Sequence, residues 1–289
     1  MAEQLFILLF NGLAYGILLF IMAIGLSVTM GMMNFVNLAH GAFAMLGGYC
    51  AVTVTADLGW PFLLSLPLAF FGVGAISTLF EFTLYRRFYG APQLSQVLLT
   101  IGLALMSVAG ATYVWGPQLR LVQMPAYLSG QTHLFGIEVG SYRLFLILIG
   151  AAIAVALLLG LERTRFGAMV RATVDNRRMA QSLGINVNRV FRLTFALGSA
   201  LAGLGGALSA NFIGGMLPNF PMGYLLVYFL IVVTVGGLGS TLGALLAAIL
   251  LGLADAAVKF YVPQLASFAI YFLMVVLLMW RPNGLLGRR

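Results

Sequence analysis

The chain reads as long apolar runs divided by short polar stretches. No Asp, Glu, Lys or Arg occurs from Gln4 to Ala56, Leu58 to Phe80, Phe88 to Leu119, Leu144 to Leu161, Leu193 to Ala254, or Phe260 to Trp280. A helix needs about 20 apolar residues to cross hydrocarbon. The first and fifth gaps have room for at least two crossings each and the others for one, so eight is the minimum. The runs are unbroken, whereas a membrane β-barrel would alternate apolar and polar positions over segments of about ten residues.

Lys and Arg set the orientation. Arg86 and Arg87 follow one span; Arg163, Arg165, Arg171, Arg177, Arg178, Arg189 and Arg192 crowd one interval; Arg281, Arg288 and Arg289 close the sequence. Basic residues favour the cytoplasmic side, so all three groups are expected there. The number of crossings between successive groups must then be even. Nine spans satisfy this, near 6–30, 39–56, 62–85, 94–115, 143–162, 190–213, 222–238, 241–258 and 264–281, with the C-terminus inside. The expectation is an all-α polytopic membrane protein of about nine (eight to ten) transmembrane helices; eight with one re-entrant segment is the alternative. Residues 1–289 form one transmembrane domain: a first half (about 1–115), an outside loop (about 116–141), a cytoplasmic coupling loop (about 163–189) and a second half (about 190–289).

Composition agrees. Charged residues make up 8% of the chain and hydrophobic ones 62%, with mean hydropathy +1.06. Soluble domains carry roughly 25% charged residues, so a soluble globular fold and disorder are both excluded. Cys50 is the single cysteine, and His40 and His133 lie far apart. The sequence contains no HExxH, CxxC or phosphate-loop pattern, so no metal, no bound cofactor and no ATP site are expected on this chain. The net charge of +8 reflects topology and calls for no nucleic acid. The first residues, MAEQ, lack the basic start of a signal peptide, so residues 5–30 read as a retained span.

Glycine clusters interrupt both halves. One runs from Gly31 to Gly48, the other from Gly236 to Gly252, including Gly236, Gly237, Gly239 and Ser240. Interrupted segments in corresponding halves point to a transport path at the interface of an inverted repeat. The competing account is close helix packing through small residues. Asn34, Asn37 and His40 are spaced three apart, so a helix would place them on one face beside Gly41. They would either line a hydrated path or cap helix ends at a turn. Asp255 and Lys259 are spaced for a local ion pair, with a proton or ion relay as the alternative. Glu81 reads as an interface residue snorkelling towards the cytoplasm.

Residues 162–192 are too polar to span a membrane. Ala168, Ala172, Asn176 and Ala180 fall at steps of four, Gly184 follows as a helix stop, and Ile185 could close it with a hydrophobic contact. One short helix of small residues amid Arg is expected to dock a cytoplasmic partner. A basic loop touching anionic lipid is the alternative.

These residues also carry a resemblance. Asn37-Leu38-Ala39-His40-Gly41, continuing through Leu46-Gly47-Gly48-Tyr49, resembles the first signature of permeases of branched-chain amino-acid ABC importers. Arg171-Ala172, Asn176, Ala180 and Gly184-Ile185-Asn186 resemble that family's ATPase-docking loop, and residues 195–203 the helix after it. Gly236-Gly237-Leu238-Gly239-Ser240, Gly243-Ala244 and the closing Arg281-Pro282-Asn283-Gly284-Leu285-Leu286-Gly287 are similar to further signatures. The resemblance covers nearly the whole chain, and length and N-terminus resemble the smaller of the family's two permeases. It implies a type II ABC importer permease fold. The implied partners are a second related permease, two cytoplasmic ATP-binding subunits and an external substrate-binding protein. It also implies a place in the bacterial inner membrane and import of branched-chain or other hydrophobic amino acids. A stand-alone secondary transporter or channel for a small polar solute, such as urea or an amide, is the other functional reading. An intramembrane enzyme would need a nucleophile with a base or a metal cluster, which two distant His and one Cys do not offer.

Overall fold

The structure is a computed structural model, and it describes residues 2–33, 35–134, 136–219 and 225–287. The apolar runs become helices. α1 (Ala2–Met33) is followed by α2 (His40–Val52), which continues as a π-helical turn over Thr53–Asp57. α3 (Phe62–Phe80) passes through a second π-helical turn, Glu81–Tyr85, into the short α4 (Arg86–Phe88). α5 (Gln93–Trp115) leads to β1 (Arg120–Leu121) and a hairpin of β2 (Gln131–Leu134) and β3 (Ile137–Gly140). Then come α6 (Ser141–Arg163), α7 (Arg165–Asp175), α8 (Arg177–Ser182), α9 (Val187–Ile213) and β4 (Gly215–Met216). α10 (Leu226–Gly236), α11 (Thr241–Tyr261) and α12 (Ala266–Trp280) complete the chain.

Among the described residues, α1, α3, α5, α6, α9 and α11 are long and apolar enough to cross a membrane. α2, α10 and α12 are shorter, yet each occupies a segment expected to span. The first residues of the 222–238 segment lie outside the described ones. Contacts sort the helix ends. Gly31 meets Gly239, Val36 meets Gln96, Glu81 meets Arg192, and Val235 meets Leu285 at one end. Asn11 meets Arg143, Asp57 meets Arg120, and Thr53 meets Trp115 at the other. These nine helices therefore alternate in direction among the described residues, and the basic intervals after α3 and α6 and the Arg281 segment share one end.

α1 and α9 make the centre. α1 packs on α6, α9, α10 and α11, and α9 on α1, α2 and α3. Glycine permits these approaches: Gly16 of α1 lies on Ala248 of α11, and Gly25 on Gly198 of α9. Without a hydrophobic drive between helices in lipid, such close backbone packing is a main source of association. Fully buried aromatic rings (Phe20, Phe35, Phe62, Phe195, Phe229) fill the space between. The outward faces are apolar too: Phe71, Met106, Phe272 and Met279 are 71%, 70%, 71% and 82% exposed. A soluble protein does not display apolar surface on this scale, and lipid is the solvent that fits it. The segment expected to be an outside loop gains order: β1 pairs antiparallel with β4, and Arg120 holds Asp57 at 2.7 and 2.9 Å.

Candidate functional site

The first site is the break between α1 and α2. Asn37 does not share a helix face with His40. It lies in the non-helical link, and His40 opens α2. Asn34 lies outside the described residues. A helix break packed into the interior must satisfy its freed N–H groups. Here α5 does so: Gln96 Oε1 accepts from Val36 N (3.2 Å), and Thr100 Oγ1 from Leu38 N (3.2 Å). Asn37 Oδ1 accepts from Ala39 N (3.1 Å) and from the Tyr85 hydroxyl (3.3 Å). His40 Nε2 is 3.0 Å from the Met22 carbonyl oxygen; since a carbonyl only accepts, Nε2 carries the proton. Gly41 is buried in the first turn of α2. Asn37 Nδ2 and His40 Nδ1 are buried without a hydrogen-bond partner, as are the hydroxyls of Ser27, Thr194 and Ser199 on α1 and α9. These three elements meet where Gly25, His40 and Gly198 touch.

The second break, between α10 and α11, uses its glycines differently. Gly237 and Gly239 have φ of 95° and 77°, a region that side-chain-bearing residues rarely adopt. Ser240 caps α11, its Oγ accepting from Gly243 N at 3.0 Å. Gly236 is buried against Gly243 and Ala244. The two interruptions foreseen in the sequence touch at Gly31 and Gly239. The closing segment then folds onto the same place. Leu285 N donates to Val235 O (2.7 Å) and Leu286 N to Gly236 O (3.2 Å), covering carbonyls that the end of α10 leaves free.

The basic interval forms two helices where one was expected. Asn176 breaks the run at φ −153°, and its Oδ1 accepts from Met179 N at 3.0 Å, which starts α8 afresh. The stripe from Ala168 to Ala180 is therefore discontinuous, and Ala180 is 1% exposed, packed into the core with Ile185. α8 ends in a Schellman motif: Ile185 N donates to Ala180 O and Gly184 N to Gln181 O, both at 3.0 Å, with Gly184 at φ 82°. Arg171 donates to the Leu161 carbonyl, joining α7 to the end of α6, while Ala172 is half-buried. Asn186 caps α9 by accepting from Arg189 N (3.0 Å). The most exposed large apolar side chains of this element were missed in the sequence: Met179 and Leu183 are 59% and 73% exposed beside Arg177 and Arg178. Their position after the Asn176 cap is the signal that pointed to them.

Two charged features resolve. Lys259 Nζ lies 2.6 Å from Asp255 Oδ2 and above the Tyr15 ring, a local ion pair. Glu81 does not snorkel. Its side chain is 1% exposed, and Arg192 Nε lies 3.3 Å from Oε2 while the Tyr89 hydroxyl donates to Oε1 at 3.0 Å. Burial, and then the Glu81 carboxylate, push the Tyr89 phenol up, so it remains a proton donor.

Polytopic architecture, paired helix breaks and a basic two-helix element at one end define an all-α membrane protein. The chain belongs to the family of branched-chain amino acid transport system permease components, which it matches over residues 8–279. It is 29% identical to the high-affinity branched-chain amino acid transport system permease protein LivH of Escherichia coli, over 100% of this chain and 98% of that one. It is 28% identical to the permease protein BraD of the corresponding system in Pseudomonas aeruginosa, over 97% and 95%. LivM, a second permease of the Escherichia coli system, is 26% identical over 92% of this chain and 67% of its own length. No solved structure matches the chain.

Proposed function

We propose that the chain is the smaller permease of an ATP-driven importer that carries branched-chain or other hydrophobic amino acids into the cytoplasm across a bacterial inner membrane. It pairs with a second, related permease, as the likeness to both LivH and LivM supports. Two ATP-binding subunits bind the α7–α8 element, and a substrate-binding protein docks at the opposite end. The chain itself performs no chemistry. ATP binding moves the docking element, and the solute passes where α1, the α1–α2 link, α2 and α9 bring unused polar atoms of Ser27, Asn37, His40, Thr194 and Ser199 into the interior. The two touching breaks would open this route alternately to the two sides.

The observation that carries the proposal is full-length family membership together with an ordered, partly apolar element amid Arg at the end where the basic intervals gather. A solute channel or secondary transporter has no use for such an element. The test is to express the tagged chain with its partner subunits and purify it in mild detergent. Recovery of ATPase subunits, with leucine, isoleucine or valine uptake that needs ATP, supports the proposal. Transport by the chain alone in liposomes without ATP overturns it.

A further inference from the structure

Glu81 opens the π-helical turn at the end of α3, and both its oxygens are committed, to Tyr89 and to Arg192. π-turns inside α-helices are uncommon and concentrate at functional positions. Arg192 lies in the second turn of α9, directly after the α7–α8 element, and its guanidinium also sits 5.4 Å above the Phe82 ring. Ring contacts extend from this pair in two directions. Tyr89 meets Phe191 edge-on at 5.5 Å, and Phe191 takes the Arg177 guanidinium of α8 at 5.5 Å. On its other side Tyr89 meets Phe35 at 5.7 Å, Phe35 meets Tyr85 at 5.5 Å, and Tyr85 donates to Asn37 in the α1–α2 break.

A buried carboxylate is costly to separate from its partners, because removing one of them leaves an uncompensated buried charge. Arg192 and Tyr89 must therefore move with Glu81, whereas apolar contacts alone could slide. We propose that Glu81, clamped by Arg192 and Tyr89, is the joint that carries motion of the docking helices to the α1–α2 break, making Glu81 a positioning residue for transport. The proposal rests on the importer reading. Coupling is a measurable quantity, and the test reads it directly.

The assembled complex is reconstituted with its binding protein, and leucine uptake per ATP hydrolysed is measured. Glu81→Gln and Arg192→Gln each lower this ratio about fivefold or more, the lower end of typical coupling strengths, while ATPase subunits still co-purify. The double variant is no worse than either single one, because both break the same link. Arg192→Lys retains more coupling than Arg192→Gln. Tyr89→Phe, which removes one hydrogen bond and keeps the ring, lowers the ratio too and serves where Glu81→Gln does not accumulate. A wild-type ratio in these variants, or strictly additive losses in the double, overturns the joint and leaves the importer reading intact. A wild-type chain that holds no ATPase overturns the importer reading itself.

Discussion

Gly31 in the last turn of α1 and Gly239 between α10 and α11 touch backbone to backbone. A Cβ at Gly239 would sit 3.2 Å from Gly31 Cα, and one at Gly31 would overlap Gly239 outright. Both helix interruptions therefore share one contact, and a change in either is felt by the other. Gly31→Ala is expected to destabilise the chain by about 1–3 kcal/mol, as overpacking does in a tight core. Gly102 in α5 is the control, since nothing lies within 4 Å of its Cβ position. Gly102→Ala should be neutral or slightly stabilising. Thermal unfolding in detergent compares the two, and equal effects would refute the contact argument.

Gln96 and Thr100 satisfy the main-chain N–H groups of Val36 and Leu38 across sixty residues of sequence. Gln96→Leu and Thr100→Val each leave a part-buried donor unpaired, at a cost of up to about 1–3 kcal/mol, the range for a fully buried one. Amide hydrogen exchange should quicken at residues 35–40 in both variants. Protection unchanged from the wild type would show that the α1–α2 link is held by something else.

Those two residues mark what the sequence could and could not reveal. Gaps between charges located α6 at 143–162, and it runs Ser141–Arg163, because lipid demands long apolar helices whatever their neighbours. The paired glycine clusters were legible for a similar reason, since glycine inside a span has few uses. Gln96 and Thr100 are two of several polar residues in α5, and nothing in the sequence around them assigned either a role. Their partners lie on a different helix, which local periodicity does not encode. Glu81 was misread on the same ground, because Arg192, 111 residues later, is what makes its burial tolerable. The single helix over residues 168–180 was misread because Asn176 ends α7 and its side chain caps a new helix, α8.

In the motif that ends α8, Gly184 holds φ 82° with open space around its Cβ position, so backbone conformation alone selects glycine. Gly184→Ala should cost about 1–2 kcal/mol locally, and Gly184→Asn less, because Asn tolerates the left-handed region. Exchange of the Ile185 and Gly184 amides reads this directly, since both are bonded in the motif. Equal exchange in the Ala and Asn variants would contradict a conformational cause.

Met179 and Leu183 are exposed, so replacing either with Asp removes little from this chain's own packing, within about 0.5 kcal/mol. Under the proposed function their loss is felt by the partner. Met179→Asp and Leu183→Asp should leave thermal unfolding of the isolated chain unchanged and reduce recovery of ATPase subunits, the double variant most. Undiminished recovery would move the docking surface elsewhere on α7 and α8.

The closing segment forms the last seal. Leu285 and Leu286 donate to the carbonyls of Val235 and Gly236, and a Cβ on Gly284 would fall 2.6 Å from Gly237 N. Ending the chain after Trp280 removes both hydrogen bonds, worth about 0.5–1.5 kcal/mol each, and exposes the glycine break beside Gly31. The truncated chain should unfold at lower temperature and show faster exchange at residues 234–240. Gly284→Val should reproduce most of that effect at full length, since it blocks the seat without removing the segment. If truncation destabilises while Gly284→Val does not, the segment acts through the donors of Leu285 and Leu286 alone, and close packing on Gly237 adds nothing.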